Sequence, residues 1–362
     1  MRVIFAGGGT GGHINPAISI ADYLRKADED FEALFIGTKR GLETKLVPAA
    51  GYDIKYIDIQ GFDRKNLLKN FSVAAKLVKA NAECVKIVKE FKPDAIVCTG
   101  GYVSGPVAIA AKKCRVPAII HEQNVYPGMT VKGSQRYVDY VAVSFAETIN
   151  HMSHKDKCVV TGNPIREEIL AADKQKCREK LGISDDEKLV LIFGGSLGAP
   201  RINEAVAGLI PKVAGSNIRI LFGTGERNYK SVMERIGDVP SNVTVTPYIN
   251  NMAEVMAAAD LAVTRSGAIT VSELACLNKP AILIPSPNVV RNHQEQNAKE
   301  FEDANAAVML RESELSPESL YTAITSLVSD DAKLVEMANN MESFAKRDAL
   351  LEIAELVYKL RG

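Results

Sequence analysis

The 362-residue sequence lacks several features that would settle its class at once. It has no charge excess: 44 basic residues face 44 acidic ones, so the strongly basic domain of a nucleic-acid binder is missing and no nucleic-acid partner is expected. Cys84, Cys98, Cys114, Cys158, Cys177 and Cys276 form no Cys-x-x-Cys pair, and no histidines cluster at zinc-ligand spacing. Neither a bound metal nor a disulfide framework is therefore expected, and a reducing cytosol fits best. No apolar run reaches the roughly 18 residues of a membrane helix, and the opening MRVIFAGGG is too short an apolar stretch for a secretory leader. What remains is an ordinary globular composition, 46% hydrophobic, with length for two domains.

Two more absences concern the glycine loops. Gly7-Gly8-Gly9-Thr10-Gly11-Gly12-His13 follows an apolar run and precedes a helical stretch, matching the G-x-G-x-x-G of dinucleotide sites. A dinucleotide site also wants an acidic residue ending the second strand to hold a ribose. That strand ends Phe35-Ile36-Gly37-Thr38-Lys39, without a carboxylate. Asp28-Glu29-Asp30 lie before the strand and read as a solvated turn, not as a metal-binding pair. No Gly-Lys-Ser/Thr closes any loop, which excludes a P-loop.

What is present is alternation. VIFAG, ALFIG, AIVCTG, AIIHE, YVAVS and CVVTG are separated by amphipathic stretches such as Pro16 to Lys26. LVLIFGG, IRILFG, VTVTPY, LAVTRSG and AILIPS repeat the pattern. Short apolar runs alternating with helices read as βαβ units, so an α/β fold with two Rossmann-like parallel-sheet domains is expected. Proline after two turn formers in Gly162-Asn163-Pro164-Ile165-Arg166 marks the crossing. The expected domains are 1–162, joined by the C-terminal helical region at about 342–362, and 163–341. Residues 1–162 carry 22 basic against 16 acidic residues and the remainder 22 against 28, which suggests that the first half meets something anionic, or only that its lysines are solvated. Ligands of open α/β sheets gather beyond the carboxyl ends of the strands, where both halves carry glycine loops.

Those loops supply the candidate residues. Gly194-Gly195-Ser196-Leu197-Gly198-Ala199 leads from a strand into a helix, and backbone N–H groups there, with a Ser hydroxyl, favour phosphate. In Arg265-Ser266-Gly267-Ala268-Ile269-Thr270, Glu273 follows one turn later and shares a face with Thr270. Its carboxylate either complements the helix dipole or accepts sugar or ribose hydroxyls. Arg166 carries a positive charge suited to a diphosphate leaving group. His13 closes the first loop and has the pKa class of a base at neutral pH, although a loop histidine can merely bond the backbone. Glu122, after a strand, is the reserve base, or holds its loop together.

The chain resembles the MurG family of peptidoglycan-precursor glycosyltransferases along its whole length. The resemblance rests on Gly7 to His13 with Asn15-Pro16-Ala17, Thr99-Gly100-Gly101-Tyr102 with Pro106, His121-Glu122-Gln123-Asn124, Thr161 to Arg166, Gly194 to Ala199, Arg265 to Glu273, and Asn292-His293-Gln294 with Asn297-Ala298. It implies a GT-B fold, its two domains facing a cleft. The implied reaction moves N-acetylglucosamine from UDP-N-acetylglucosamine to the 4-hydroxyl of the muramyl sugar in undecaprenyl-linked lipid I. Lipid II results, with inversion; the UDP-sugar is a substrate and no cofactor is implied. By resemblance the second domain takes the donor: Ser196 on phosphate, the Ile249 backbone on uracil, Glu273 on ribose, and Arg166 against the diphosphate. Ala268, Ile269, Thr270 and Gln294 line the sugar, with Val271 and Ser272 in the same segment. Asn124 and Thr10-Gly11-Gly12 reach across from the first domain.

A lipid-linked acceptor requires a membrane face. Residues 61–92 hold eight basic residues against three acidic ones, with apolar residues interleaved. Arg64, Lys65, Leu67, Leu68, Lys69, Phe71 and Lys76 are expected to dock reversibly on an anionic surface, the alternative being a solvated lysine face. The expected location is the cytoplasmic face of a bacterial plasma membrane, held peripherally. The rival readings are another UDP-sugar enzyme of the same fold, such as a 2-epimerase or a glycolipid glycosyltransferase, and a silent UDP-sugar binder.

Overall fold

The structure is a computed structural model that describes residues 1–60, 69–195 and 198–361, the side chains of 69–75 excepted. It divides into two compact units, Met1–Ile165 with Arg347–Gly362, and Arg166–Lys346.

The first unit is built on seven parallel strands: β1 (Arg2–Gly7), β2 (Glu32–Gly37), β3 (Asp53–Tyr56), β4 (Ala95–Gly100), β5 (Ala118–Glu122), β6 (Tyr140–Val143) and β7 (Cys158–Val160). Their order is β3-β2-β1-β4-β5-β6-β7. Because helices cover both faces, the central strands are mostly apolar, and β4 is buried at every residue. One face packs Ile4, Ile36, Ile96 and Ile120 against the helices Lys69–Phe91 and Ser104–Cys114. The other packs Val3, Phe5, Val97 and Ile119 against the helix Gly11–Ala27 and the last helix, Ala349–Arg361. Ile353, Ala354, Leu356 and Val357 of that last helix are buried there, which is why the chain end belongs to the first unit.

The second unit repeats the plan with β8 (Lys188–Phe193), β9 (Ile218–Gly223), β10 (Val243–Thr246), β11 (Leu261–Thr264), β12 (Ala281–Leu283) and β13 (Ala307–Met309), ordered β10-β9-β8-β11-β12-β13. The α/β class with two parallel sheets is as the alternation of the sequence implies. β3 and β13 were not foreseen: Asp-Ile-Lys-Tyr and Ala-Val-Met are short edge strands whose pairing comes from a neighbour rather than from their own pattern. In each sheet the strand order reverses direction once, between β1 and β4 and between β8 and β11. A crevice opens at such a point beyond the carboxyl ends.

Candidate active site

At the β1/β4 reversal of the first unit lies His13, in the first turn of the helix Gly11–Ala27. The Thr99 hydroxyl donates to the His13 carbonyl at 2.7 Å. The imidazole Nδ1 lies 3.1 Å from the Thr99 carbonyl oxygen and 3.1 Å from Gln123 Oε1. Gly100, at φ +107°, makes room for the ring, since a Cβ there would stand 2.6 Å from Nδ1. Ser104, fully buried, pins the loop after β4: its hydroxyl oxygen accepts from the Gly100 N–H at 3.0 Å and donates to the Ala6 carbonyl at 2.9 Å. Burial pushes the His13 pKa below its ordinary value, outweighing the Gln123 and Thr99 oxygens that favour the cation. The ring is therefore neutral at neutral pH, as a base must be.

The glycine loop before His13 is held by a residue the sequence did not flag. Glu43, fully buried, opens the short helix Glu43–Ala49. One carboxylate oxygen accepts from Gly9 N at 2.9 Å, and the other from Thr38 N at 2.9 Å and the Thr38 hydroxyl at 2.7 Å. Burial alone would raise its pKa, but the backbone donors Gly9 and Thr38 prevail and hold it below the ordinary range. The strand itself ends without a carboxylate, as the sequence reads, but the turn after it brings Glu43 back, facing the loop backbone. A phosphate placed on that loop would meet a buried negative charge and an N–H already engaged, so the dinucleotide reading loses its anion site as well.

Glu122 is almost fully buried. Its Oε1 accepts from Asn124 N at 3.0 Å and Asn124 Nδ2 at 3.1 Å, and its Oε2 from Gly128 N at 2.8 Å. The reserve base is thus turned into its own loop, with both oxygens engaged. Asn124 is half-buried and fixed by the same carboxylate, while Thr10 and Gly12 are exposed and Gly11 half-buried.

In the second unit the glycine loop after β8 contains Ser196, which lies outside the described residues. Its neighbour Gly198, at φ +73°, packs so closely that a Cβ would fall 2.2 Å from the Thr224 carbonyl oxygen. Beyond β11, Gly267 caps the helix Ala268–Cys276 in an extended conformation, and the free N–H groups of the first turn give that end its positive character. Arg166 Nε donates to Glu273 Oε1 at 2.9 Å, with the guanidinium half-exposed and the carboxylate buried. Burial raises the Glu273 pKa and the Arg166 charge opposes that rise. Burial likewise works against the Arg166 charge, and the Glu273 carboxylate more than offsets it.

Gln294, at the start of the helix His293–Asp303, accepts from Ser286 N through Oε1 at 2.9 Å. Its carbonyl takes the Ser266 hydroxyl at 2.8 Å, and Asn297 Nδ2 donates to the Ser266 carbonyl at 3.1 Å. The loops after β11 and β12 are thereby tied together. Ile269 and Thr270 are half-buried, and Ala268 is buried. Val271 is fully buried and Ser272 nearly so, which removes Val271 as a side-chain contact to any ligand: that face of the helix serves the domain interior. Ile249, after β10, is also buried, against Gly223.

Of the expected membrane face, Arg64, Lys65, Leu67 and Leu68 lie outside the described residues, as do the side chains of Lys69 and Phe71. Lys76 is paired with Asp58 at 3.1 Å. Among the described residues no group of three acidic, His or Cys side chains could hold a metal, and no helix is long and apolar enough to cross a membrane.

Two parallel-sheet domains, each with glycine loops at its strand-order reversal, are the architecture of a sugar-nucleotide glycosyltransferase, and the comparisons agree. Residues 3–143 match the glycosyltransferase family 28 N-terminal domain, and residues 189–353 match the glycosyltransferase family 28 C-terminal domain. The UDP-N-acetylglucosamine–N-acetylmuramyl-(pentapeptide) pyrophosphoryl-undecaprenol N-acetylglucosamine transferase of Acetivibrio thermocellus is 47% identical over 359 residues, covering 99% of this chain and 97% of the relative. The crystal structure of Acinetobacter baumannii MurG superposes with a TM-score of 0.82 at 29% identity, covering 99% of each chain. A UDP-N-acetylglucosamine 2-epimerase from Neisseria meningitidis, bound to UDP-N-acetylglucosamine, gives a TM-score of 0.69 at 15% identity over 99% of this chain and all of that one, which shows the shared fold. The chain belongs to the MurG family of N-acetylglucosaminyltransferases.

Proposed function

We propose that the protein transfers N-acetylglucosamine from UDP-N-acetylglucosamine to the 4-hydroxyl of the muramyl sugar of the undecaprenyl-linked precursor, with inversion, and that His13 is the base. The observation that carries the mechanism is the His13 environment. Both contacts of Nδ1 are oxygen acceptors, a carbonyl and an amide oxygen, so Nδ1 carries the proton and the lone pair sits on Nε2. The acceptor hydroxyl gives its proton to Nε2 while its oxygen bonds to the anomeric carbon. The bond from that carbon to the diphosphate breaks, and UDP leaves with the electron pair. A direct displacement of this kind inverts the anomeric centre. Histidine at neutral pH matches the demand for a base that is unprotonated yet able to hold a proton.

The first domain is the acceptor side and the second the donor side in this reading. Glu273 is a buried carboxylate satisfied by one guanidinium, suited to accept ribose hydroxyls. Arg166, half-exposed beside it, suits the departing diphosphate, together with the N-terminal end of the helix Ala268–Cys276 and the loop that holds Ser196. The Ile249 backbone reads uracil, while Ala268, Ile269, Thr270 and Gln294 line the sugar. Thr10, Gly11, Gly12 and Asn124 complete the donor contacts.

The chain works peripherally at the cytoplasmic face of the plasma membrane, on an anionic surface. The helix Lys69–Phe91 supports this with Val78, 71% exposed, beside Lys79. Lys76, already neutralised by Asp58, contributes least.

The test is UDP release from UDP-N-acetylglucosamine with and without a short-chain lipid I analogue. Release that depends on the acceptor is expected. Free UDP without acceptor, or interconversion of the sugar, would favour a 2-epimerase. Donor binding without turnover would leave a silent binder.

A further inference from the structure

A run of buried side chains behind His13 has no role in the reaction as described. His121, fully buried on β5, has Nε2 at 2.9 Å from the Gly162 carbonyl oxygen. The Ser144 hydroxyl stands 3.3 Å from the same nitrogen and donates its own proton to the Glu122 carbonyl at 2.8 Å. Nε2 thus faces one carbonyl and one oxygen lone pair, and it must be the protonated nitrogen. His121 Nδ1 is then an acceptor.

The Gln123 amide nitrogen lies 3.0 Å from that Nδ1 and 2.9 Å from the Thr99 carbonyl oxygen. Both positions demand a donor, so the orientation of the amide is dictated and Oε1 is left to face His13 Nδ1. The Gln123 backbone is held too, its carbonyl accepting from Asn163 Nδ2 at 3.0 Å. Each hydrogen in the series Gly162, His121, Gln123, His13 therefore has one consistent place, fixed at its far end by a backbone carbonyl.

We propose that Gln123 is a positioning residue for the transfer: oriented by His121, it keeps the proton on His13 Nδ1 and the lone pair on Nε2. The opposite tautomer would point a lone pair at two oxygen lone pairs, a buried mismatch. Because Gln123 is neutral, it orients the imidazole while raising its basicity less than a carboxylate would. His121 serves in this series as a permanently neutral acceptor, since burial pushes its pKa down to about 4. The titratable groups beside the network are Glu122, turned to Asn124 and Gly128, and Glu43, turned to Gly9 and Thr38.

The inference rests on His13 as the base, and two readouts separate the two claims. The first is the imidazole ¹⁵N spectrum of the full-length protein at neutral pH, with His13 assigned from the spectrum of His13→Gln. It should show Nδ1 protonated in the wild type. Protonation on Nε2 would overturn the proposal whatever the kinetics say. The second is the pH profile of kcat in Gln123→Glu and Gln123→Leu. A carboxylate against Nδ1–H should move the acid limb up by about 1–3 pH units. The leucine variant, left with the Thr99 carbonyl alone, should lose about tenfold or more in kcat at unchanged donor Kd. A merely structural glutamine would leave the acid limb in place, and an unmoved limb in a folded Gln123→Glu protein would overturn the assignment. Where a variant fails to fold, the wild-type spectrum still decides. Full turnover by His13→Gln, with the expected spectrum, would remove the base and leave Gln123 as the residue that sets the tautomer.

Discussion

Replacing Glu43 with glutamine tests whether the glycine loop is held in place by a carboxylate. The native group has both oxygens engaged, Oε2 by Gly9 N and Oε1 by Thr38 N and Oγ1. An amide can keep only one oxygen. If it keeps the two Thr38 contacts, its NH2 points at the Gly9 N–H, two donors facing each other in a part-buried position. The loss is one charge-assisted hydrogen bond and an unsatisfied donor, together about 2–3 kcal/mol. For a domain of this size each kcal/mol lowers the melting temperature by about 2–4 °C, so the first domain should melt roughly 4–12 °C earlier. Calorimetry resolves that shift, and amide exchange at Gly9 should accelerate in parallel. Turnover should fall as well, since the loop carries His13 and about 1 Å of misplacement is enough to cost up to 10²-fold. A variant with wild-type melting and wild-type exchange at Gly9 would refute the reasoning, because the buried donors would then be satisfied some other way.

Glu273→Gln and Arg166→Met should each weaken UDP-N-acetylglucosamine binding by about tenfold, the equivalent of one charged contact; unchanged affinity by calorimetric titration would remove that residue from the donor site. Acid should destabilise the first domain. The His121 pKa lies at about 4 in the fold against 6.5 in its ordinary state; the unfolded chain therefore takes up the proton first as pH falls. Stability present above pH 6.5 is lost toward pH 4, by up to about 3 kcal/mol. Urea midpoints at several pH values should show this loss, and His121→Gln should reduce it. Reversing Arg64, Lys65 and Lys69 to Glu should weaken binding to anionic vesicles by at least about 3 kcal/mol, roughly a hundredfold or more, since three attractions are lost and repulsion is added. Lys76→Glu should do less because Asp58 already neutralises it, and equal losses would show that the pair does not form on the vesicle surface.

The sequence by itself determined the architecture and the address of the chemistry. Apolar runs such as AIVCTG and LVLIFGG are long enough, and bounded sharply enough by glycine, to be central parallel strands and nothing else. A glycine loop after such a strand fixes where a ligand can approach, so His13, Arg166 and the segment Ala268 to Glu273 were visible as candidates before any coordinate. Two kinds of information were not there. Edge strands such as β13 take their conformation from the strand beside them, each residue pairing with one 26 positions earlier in β12, as Met309 does with Leu283, and their own few residues carry no period. The partners of buried polar groups are likewise set by distance in space. Nothing in the spacing of Glu43 and Gly9, or of Gln123 and His13, announces a hydrogen bond, because a turn or a neighbouring strand brings them together only once the sheet is assembled. The carboxylate of Glu43, which belongs to the helix after β2 yet holds Gly9, is a case of this kind. Burial then decides the protonation of what has been gathered: the same imidazole that floats near neutrality in water is held neutral at His121 and tuned downward at His13. Sequence selects the chemical groups, whereas their tautomers and charges follow from the surroundings that folding places around them.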